Sequence, residues 1–180
     1  MAVKDLILYG EYPDFPTKGV NFIDLTPSLL DPNNAEEIVK QLMKLHINNE
    51  NEVASSVDYI ISPDARGFIW GGMVAQKYNL GFIPVRKVGK LPDGAILSMI
   101  NYQTEYSSTE LCLPIVDISG KRLLFIDDVY ATGGTYMAIK ELVNQNNGIL
   151  IGGSVLVDVE LDQNPEVKSL VKVRDLKKGF

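Results

Sequence analysis

The stretch LLFIDDVYATGGTYMA, Leu123 to Ala138, sets two carboxylates beside a loop suited to an anion. Gly133 and Gly134 let the backbone turn tightly and come close to a ligand. The loop runs into a segment that reads as a helix, whose free N–H groups and dipole favour negative charge. Thr132 and Thr135 add hydroxyl donors, and a phosphate monoester fits the arrangement. No Lys follows the glycines, so this is not a Walker loop, and the dinucleotide fingerprint G-x-G-x-x-G is absent. Asp127 and Asp128 would repel a phosphate at direct contact. A few ångströms ahead of the loop, however, carboxylates are good acceptors for sugar hydroxyls. A phosphate on the loop with a ribose lying across the aspartates satisfies both demands, so the ligand reads as a ribose 5-phosphate. The same carboxylates would face an oxocarbenium-like centre if the sugar becomes cationic.

The surrounding pattern says what must position these groups. Apolar residues at helical spacing predict a helix over Asn33 to Asn48, started by Asp31-Pro32-Asn33. A strand is expected over Val57 to Ile61, ended by Ser62-Pro63-Asp64, and a helix over Phe68 to Tyr78 despite Gly71 and Gly72. Further strands are expected over Gly81 to Val85, Arg122 to Ile126 and Ile149 to Val157, and a further helix over Gly133 to Asn146. Ile96 to Gln103 and Thr109 to Pro114 read as the arms of an antiparallel excursion with a polar tip. Strands alternating with helices imply an α/β fold, a mostly parallel sheet flanked by helices. In such sheets ligands bind outside the carboxyl ends of the strands. Pro63 to Gly67, Arg86 to Lys90 and Asp127 to Thr135 each follow a strand and should converge there.

Bulk properties narrow the class. The chain has 180 residues, the size of one domain, with 46% hydrophobic and 22% charged residues. Its net charge of −6 argues against a nucleic-acid partner. One cysteine, Cys112, precludes an internal disulfide and fits a reducing compartment; with a single His as well, a zinc site is not expected. No signal peptide is read at the N-terminus, and no run reaches the roughly 18 apolar residues of a membrane span. A cytoplasmic location is the expectation.

Leu123 to Ala138 resembles the phosphoribosyl-pyrophosphate (PRPP) motif of type I phosphoribosyltransferases. FPTKGVNFIDLTPSLLDP (Phe15 to Pro32), DARGFIWG (Asp64 to Gly71), FIPVRKVGKLP (Phe82 to Pro92) and YQTEYSSTEL (Tyr102 to Leu111) occur in the order and spacing of the adenine phosphoribosyltransferases within that family. The similarity covers roughly Tyr9 to Val159. It implies a type I phosphoribosyltransferase-like fold in one domain over 1–180. An N-terminal base-binding hood would occupy about 1–35 and a flexible catalytic loop about 95–115. It also implies transfer of 5-phosphoribose from PRPP to N9 of a purine, with release of pyrophosphate.

The resemblance assigns roles position by position. Ala131, Thr132, Gly133, Gly134 and Thr135 would hold the 5′-phosphate, and Asp127 and Asp128 the ribose hydroxyls. Asp64, Ala65, Arg66 and Gly67 match the pyrophosphate loop, which in the family often contains a non-proline cis peptide. Arg66 would grip pyrophosphate with its guanidinium fork. Arg86, Lys87 and Lys90 would reach the same group, in the family sometimes across a dimer interface. Magnesium is implied as the cofactor, held mainly by PRPP oxygens and water rather than by dedicated side chains. Glu105 is the family's candidate for proton exchange with the purine, with Tyr106 beside it at the loop tip. Phe22 would stack on the base, with Val129 on its other face.

Two neighbours depart from the pattern: Asn21 replaces an aliphatic residue, and Ile23 replaces an Arg. If main-chain groups of Asn21 and Ile23 read the adenine edge, both changes are harmless. If the Asn21 side chain reads it, a 6-oxopurine remains open. A PRPP-sensing regulatory protein without catalysis is the third possibility. The expected partners are PRPP and a purine base, with no nucleic acid and no membrane, and the expected assembly is a homodimer.

Overall fold

The computed structural model describes residues 2–47, 49, 52–103 and 108–176. Its strands are β1 (Gly10–Pro13), β2 (Asn21–Asp24), β3 (Tyr59–Pro63), β4 (Gly81–Lys87), β5 (Ile96–Gln103), β6 (Ser108–Pro114), β7 (Arg122–Tyr130), β8 (Ile149–Asp158) and β9 (Val167–Lys172). The helices are α1 (Pro32–Lys44), α2 (Val53–Ser56), α3 (Arg66–Lys77) and α4 (Gly134–Gln145), with short 3-10 turns between elements.

Side chains alternate across a strand, and three central strands use both faces. Ile60, Leu124, Ile126 and Leu156 enter one core, while Ile61, Leu123, Phe125 and Val155 enter the other. This double burial is why β7 begins as a continuous apolar run instead of an alternating one. Helices α1 and α3 close the first face with Ile38, Leu42, Met43, Trp70 and Val74. Helix α4 closes the second with Tyr136, Ile139, Leu142 and Val143. Each such fully buried aliphatic side chain stabilises the fold by roughly 1.5–3 kcal/mol.

The main sheet has the order β5-β6-β4-β3-β7-β8-β9. Neighbours from β4 to β9 run parallel, whereas β6 pairs antiparallel with both β4 and β5. The two-stranded excursion expected from the sequence is therefore present as β5 and β6. A separate antiparallel pair, β1 and β2, sets Tyr12 opposite Phe22 and Glu11 opposite Ile23.

Local chemistry fixes the helix starts. The Asp31 side chain accepts from the Asn33 N–H, and Pro32 occupies the first turn of α1. In α3, Gly71 faces the Ser62 side chain and the Phe82 ring, so only a residue without Cβ lets this helix press onto β3 and β4.

Several boundaries differ from the sequence expectation. Helix α1 ends at Lys44 and not at Asn48, which lies outside the described residues. Strand β3 begins at Tyr59 and continues through Ser62 and Pro63. Its pairing with β7 stops at Ile61, so Pro63 is not asked for an N–H on that side. Helix α3 starts at Arg66, two residues before the expected Phe68. Strand β4 runs on to Lys87. Strand β7 runs past Ile126 to Tyr130, because β8 keeps pairing with it from Asp127 to Tyr130. Both aspartates therefore lie on the strand itself, not in a loop after it.

Candidate active site

A cleft of about 990 Å³ opens at the carboxyl ends of β3, β4, β7 and β8. Its walls include Asp64 to Gly67, Lys87, Asp127 to Tyr136, and Phe15 to Pro16 with Gly19 to Ile23 from the β1–β2 region. Pro63 to Gly67, Asp127 to Thr135 and, of the basic cluster, Lys87 thus meet at one sheet edge, where an open parallel sheet places its ligands.

The anion end is built by α4. Gly133 is the residue before the first helical turn and has φ 78°, a left-handed conformation that favours glycine. A Cβ there would lie 2.5 Å from the Tyr130 hydroxyl oxygen and 2.8 Å from Asp162 Oδ2. Ala131, Thr132, Gly134 and Thr135 complete the turn. The first-turn N–H groups beyond Gly133 have no acceptor one turn back and are free for an anion.

Next to this turn stand the carboxylates. Asp128 is buried and its Oδ2 lies 2.8 Å from Arg66 Nε. Asp127 Oδ1 accepts from the Asp128 N–H at 2.8 Å. Burial pushes the Asp127 carboxyl well above the usual carboxylate range, and the Asp128 charge pushes it the same way. Gly67 packs against this carboxylate: a Cβ would lie 2.7 Å from Pro63 Cδ and 2.9 Å from Asp127 Oδ1. The Asp64–Ala65 peptide is cis.

Arg66 ties the two sides of the cleft together. Besides its ion pair with Asp128, one terminal nitrogen donates to the Ile23 carbonyl at 3.1 Å. Its guanidinium carbon lies 4.7 Å from the centre of the Phe22 ring. Phe22 also meets Phe15 edge-on, with ring centres 5.2 Å apart. Val129 lines the same cleft.

The two unusual neighbours of Phe22 line the cleft, but their side chains are engaged elsewhere. Ile23 is 5% exposed and belongs to the core, leaving its carbonyl toward Arg66. The Asn21 amide donates to Glu11 across the β1–β2 pair.

Of the basic cluster, Lys87 lines the cleft, whereas Arg86 and Lys90 do not. Arg86 Nε lies 3.5 Å from Asp64 Oδ2, with its guanidinium over the Phe68 ring, and Lys90 is exposed. Glu105 and Tyr106 lie outside the described residues. Among the described residues no three His, Cys, Asp or Glu side chains cluster as a metal cage.

Sequence reasoning missed Tyr130, Tyr136, Val159, Leu161 and Val173, which also line the cleft. Tyr130 and Tyr136 lie within the Leu123 to Ala138 stretch. Leu161 and Val173 carried no local signal at all.

The comparisons agree with this geometry. A family model described as the phosphoribosyl transferase domain matches residues 27–180, and the chain belongs to that family. It is accordingly an enzyme of the glycosyltransferase type. It is 41% identical over 152 residues to an adenine phosphoribosyltransferase of Thermosipho africanus, covering 83% of this chain and 84% of the relative. A crystal structure of adenine phosphoribosyltransferase from Thermoanaerobacter pseudethanolicus superposes with a TM-score of 0.82 at 33% identity, over 95% of this chain and 99% of the other. That of Saccharomyces cerevisiae, complexed with an imino-altritol bisphosphate and adenine, gives 0.81 at 30% identity, over 94% and 98%.

Proposed function

We propose that the chain transfers 5-phosphoribose from PRPP to adenine, giving AMP and pyrophosphate in purine salvage. One observation carries this: the cleft gathers an anion-suited turn, two carboxylates and a partly buried aromatic ring around one space. These suit the 5′-phosphate, the ribose and the base of PRPP and a purine. The relatives named adenine phosphoribosyltransferase support the choice of base.

The Gly133 turn binds the 5′-phosphate, and Asp127 and Asp128 accept from the ribose hydroxyls. As the bond from C1 to pyrophosphate breaks, the same carboxylates offset the positive charge growing on the sugar. Purine N9 forms the new bond to C1 from the opposite face. Arg66 leaves Phe22 to hold the departing pyrophosphate, with Lys87 beside it, and the uncovered ring stacks on the base against Val129. Glu105 exchanges the ring proton, and Tyr106 accompanies it. The carboxylates around the cleft are hard oxygen donors that suit the water shell of magnesium, which when bound to PRPP supplies charge neutralisation on the leaving group. The first 35 or so residues serve as the base-binding hood, and about 95–115 as the catalytic loop. The protein works as a cytoplasmic homodimer without nucleic acid or membrane. No helix among the described residues is long and apolar enough to cross a membrane.

The buried Ile23 side chain and the Glu11-bound Asn21 amide favour reading of adenine by main-chain groups. The test is purified protein with magnesium and PRPP, offered adenine, hypoxanthine, guanine and xanthine in parallel. AMP from adenine with little turnover of the others is the expected result. A preference for a 6-oxopurine would reject adenine, and PRPP binding without turnover of any base would reject catalysis.

A further inference from the structure

The connection from β8 to β9 is fastened down along its length. At its start the Val159 N–H donates to the Tyr130 carbonyl at 3.0 Å, and the Glu160 N–H donates to Asp158 Oδ1 at 2.7 Å. Glu160 sits at φ 62°, a left-handed conformation uncommon for this residue type, with its carboxylate between Lys172 and Arg174. At its end Glu166 accepts from Lys140 at 2.6 Å and from the Tyr136 hydroxyl at 3.2 Å. In the middle, the Tyr130 hydroxyl donates to Asp162 Oδ2 at 2.6 Å.

That middle contact lies directly beneath the anion-binding turn. The Tyr130 oxygen and Asp162 Oδ2 are the two atoms a Cβ on Gly133 would strike first. A carboxylate so near a phosphate site is a liability unless something directs it. Left free, it would accept from the same loop N–H groups the phosphate needs and would repel the incoming charge. A hydroxyl that donates to it occupies the nearer oxygen and holds it in place. Burial and the Asp162 acceptor push the Tyr130 phenol above its ordinary value, so it stays a donor through the working pH range.

We propose that Tyr130 and Asp162 are positioning residues for the 5′-phosphate: the tyrosine hydroxyl anchors the carboxylate under Gly133, and the pair together fixes the left-handed turn that receives the phosphate. This rests on reading the turn as the PRPP phosphate site. The turn needs glycine at 133 because this pair fills the space a side chain would take. The signal is a contact between residues 32 positions apart, on two elements with no shared motif.

The experiment compares the wild type with Tyr130→Phe, Asp162→Ala, Asp162→Asn and the double variant Tyr130→Phe/Asp162→Ala. Steady-state kinetics are paired with calorimetric PRPP binding in magnesium. Tyr130→Phe keeps the ring and should raise the KM and Kd for PRPP about tenfold, with kcat and the KM for adenine within about twofold. Asp162→Ala should match it, and the double variant should be no worse than either single change, because both remove one contact. Asp162→Asn keeps an acceptor for the hydroxyl and should hold PRPP affinity within about threefold of wild type. A PRPP KM within twofold of wild type in Tyr130→Phe, or additive losses in the double variant, would overturn the clamp while leaving the activity intact. Wild-type protein that binds no PRPP would overturn the phosphate reading and the clamp with it.

Discussion

Replacing Arg66 by Ala removes three contacts at once, and their sizes can be ordered. The ion pair comes first, because its two ends are unlike: the Asp128 side chain is 4% exposed and that of Arg66 43%. A fully buried carboxylate stripped of its cation would cost about 3–5 kcal/mol. The open side of Arg66 admits water, which screens the pair and reduces the loss to about 1–2 kcal/mol. The hydrogen bond to the Ile23 carbonyl adds about 1 kcal/mol, softened because water can replace it at the cleft mouth. The contact with Phe22 adds about 0.5–1 kcal/mol at a partly exposed site. The three share one side chain and do not simply add, so the expected loss is about 2 kcal/mol in urea unfolding at pH 7. A cycle of Arg66→Ala, Asp128→Asn and the double variant isolates the ion pair, with an expected coupling of about 1–2 kcal/mol. In the steady state, Arg66→Ala should also raise the KM for PRPP by 10-fold or more, on the order of one lost charge-assisted contact to a phosphate oxygen. Unchanged stability together with a coupling below about 0.3 kcal/mol, inside the additivity error, would refute the claim that Asp128 depends on this cation.

Other perturbations bear on different parts of the site and frame. Gly67→Ala should cost about 1–3 kcal/mol and weaken PRPP binding, since the new methyl meets Pro63 and Asp127 and the proline ring cannot yield; urea unfolding and PRPP titration check both. Asp127, whose pKa is raised, binds its proton more tightly folded than unfolded, so its charge costs the free protein stability as pH rises through the raised value. Asp127→Asn should therefore stabilise the free protein at neutral pH in urea unfolding while weakening PRPP binding, and should remove the acid-side rise in PRPP KM expected of the wild type above the ordinary carboxylate range. Asp58, held at a pKa of about 2 chiefly by its hydrogen bonds from Arg122, acts with the opposite sign. Its stabilisation is present above the unfolded value near 3.8 and is lost as pH falls toward 2. Asp58→Asn should lower stability by about 1 kcal/mol at pH 7 and flatten acid unfolding over that interval.

What could be read from the sequence was what is local. The strand, the aspartate pair and the glycine turn are contiguous, and their chemistry follows from order along the chain. The parallel sheet showed itself because its strands alternate along the chain with the helices that cover it. Strand β9 escaped notice because it is an edge, with Lys168 and Lys172 exposed and only Val171 fully buried. Arg66 was expected to grip pyrophosphate, but its contact with Ile23 joins positions 43 residues apart and leaves no trace in either segment. Asp162 is similar: an exposed carboxylate in a polar stretch gives no sign in the sequence of the Tyr130 hydroxyl it accepts from. The departures at Asn21 and Ile23 left main-chain and side-chain reading of the base both open in the sequence; the fold sends one side chain to Glu11 and the other into the core.

The length of β7 has a thermodynamic consequence. Because its ladder with β8 continues through Asp127 and Val129 to Tyr130, the backbone that carries both carboxylates is already confined before any sugar arrives. Ordering a free loop costs roughly 1–2 kcal/mol per residue in lost conformational freedom. Here that entropy has been surrendered during folding, so on the proposed function the ribose contacts act on the bond that breaks and not on quieting the chain.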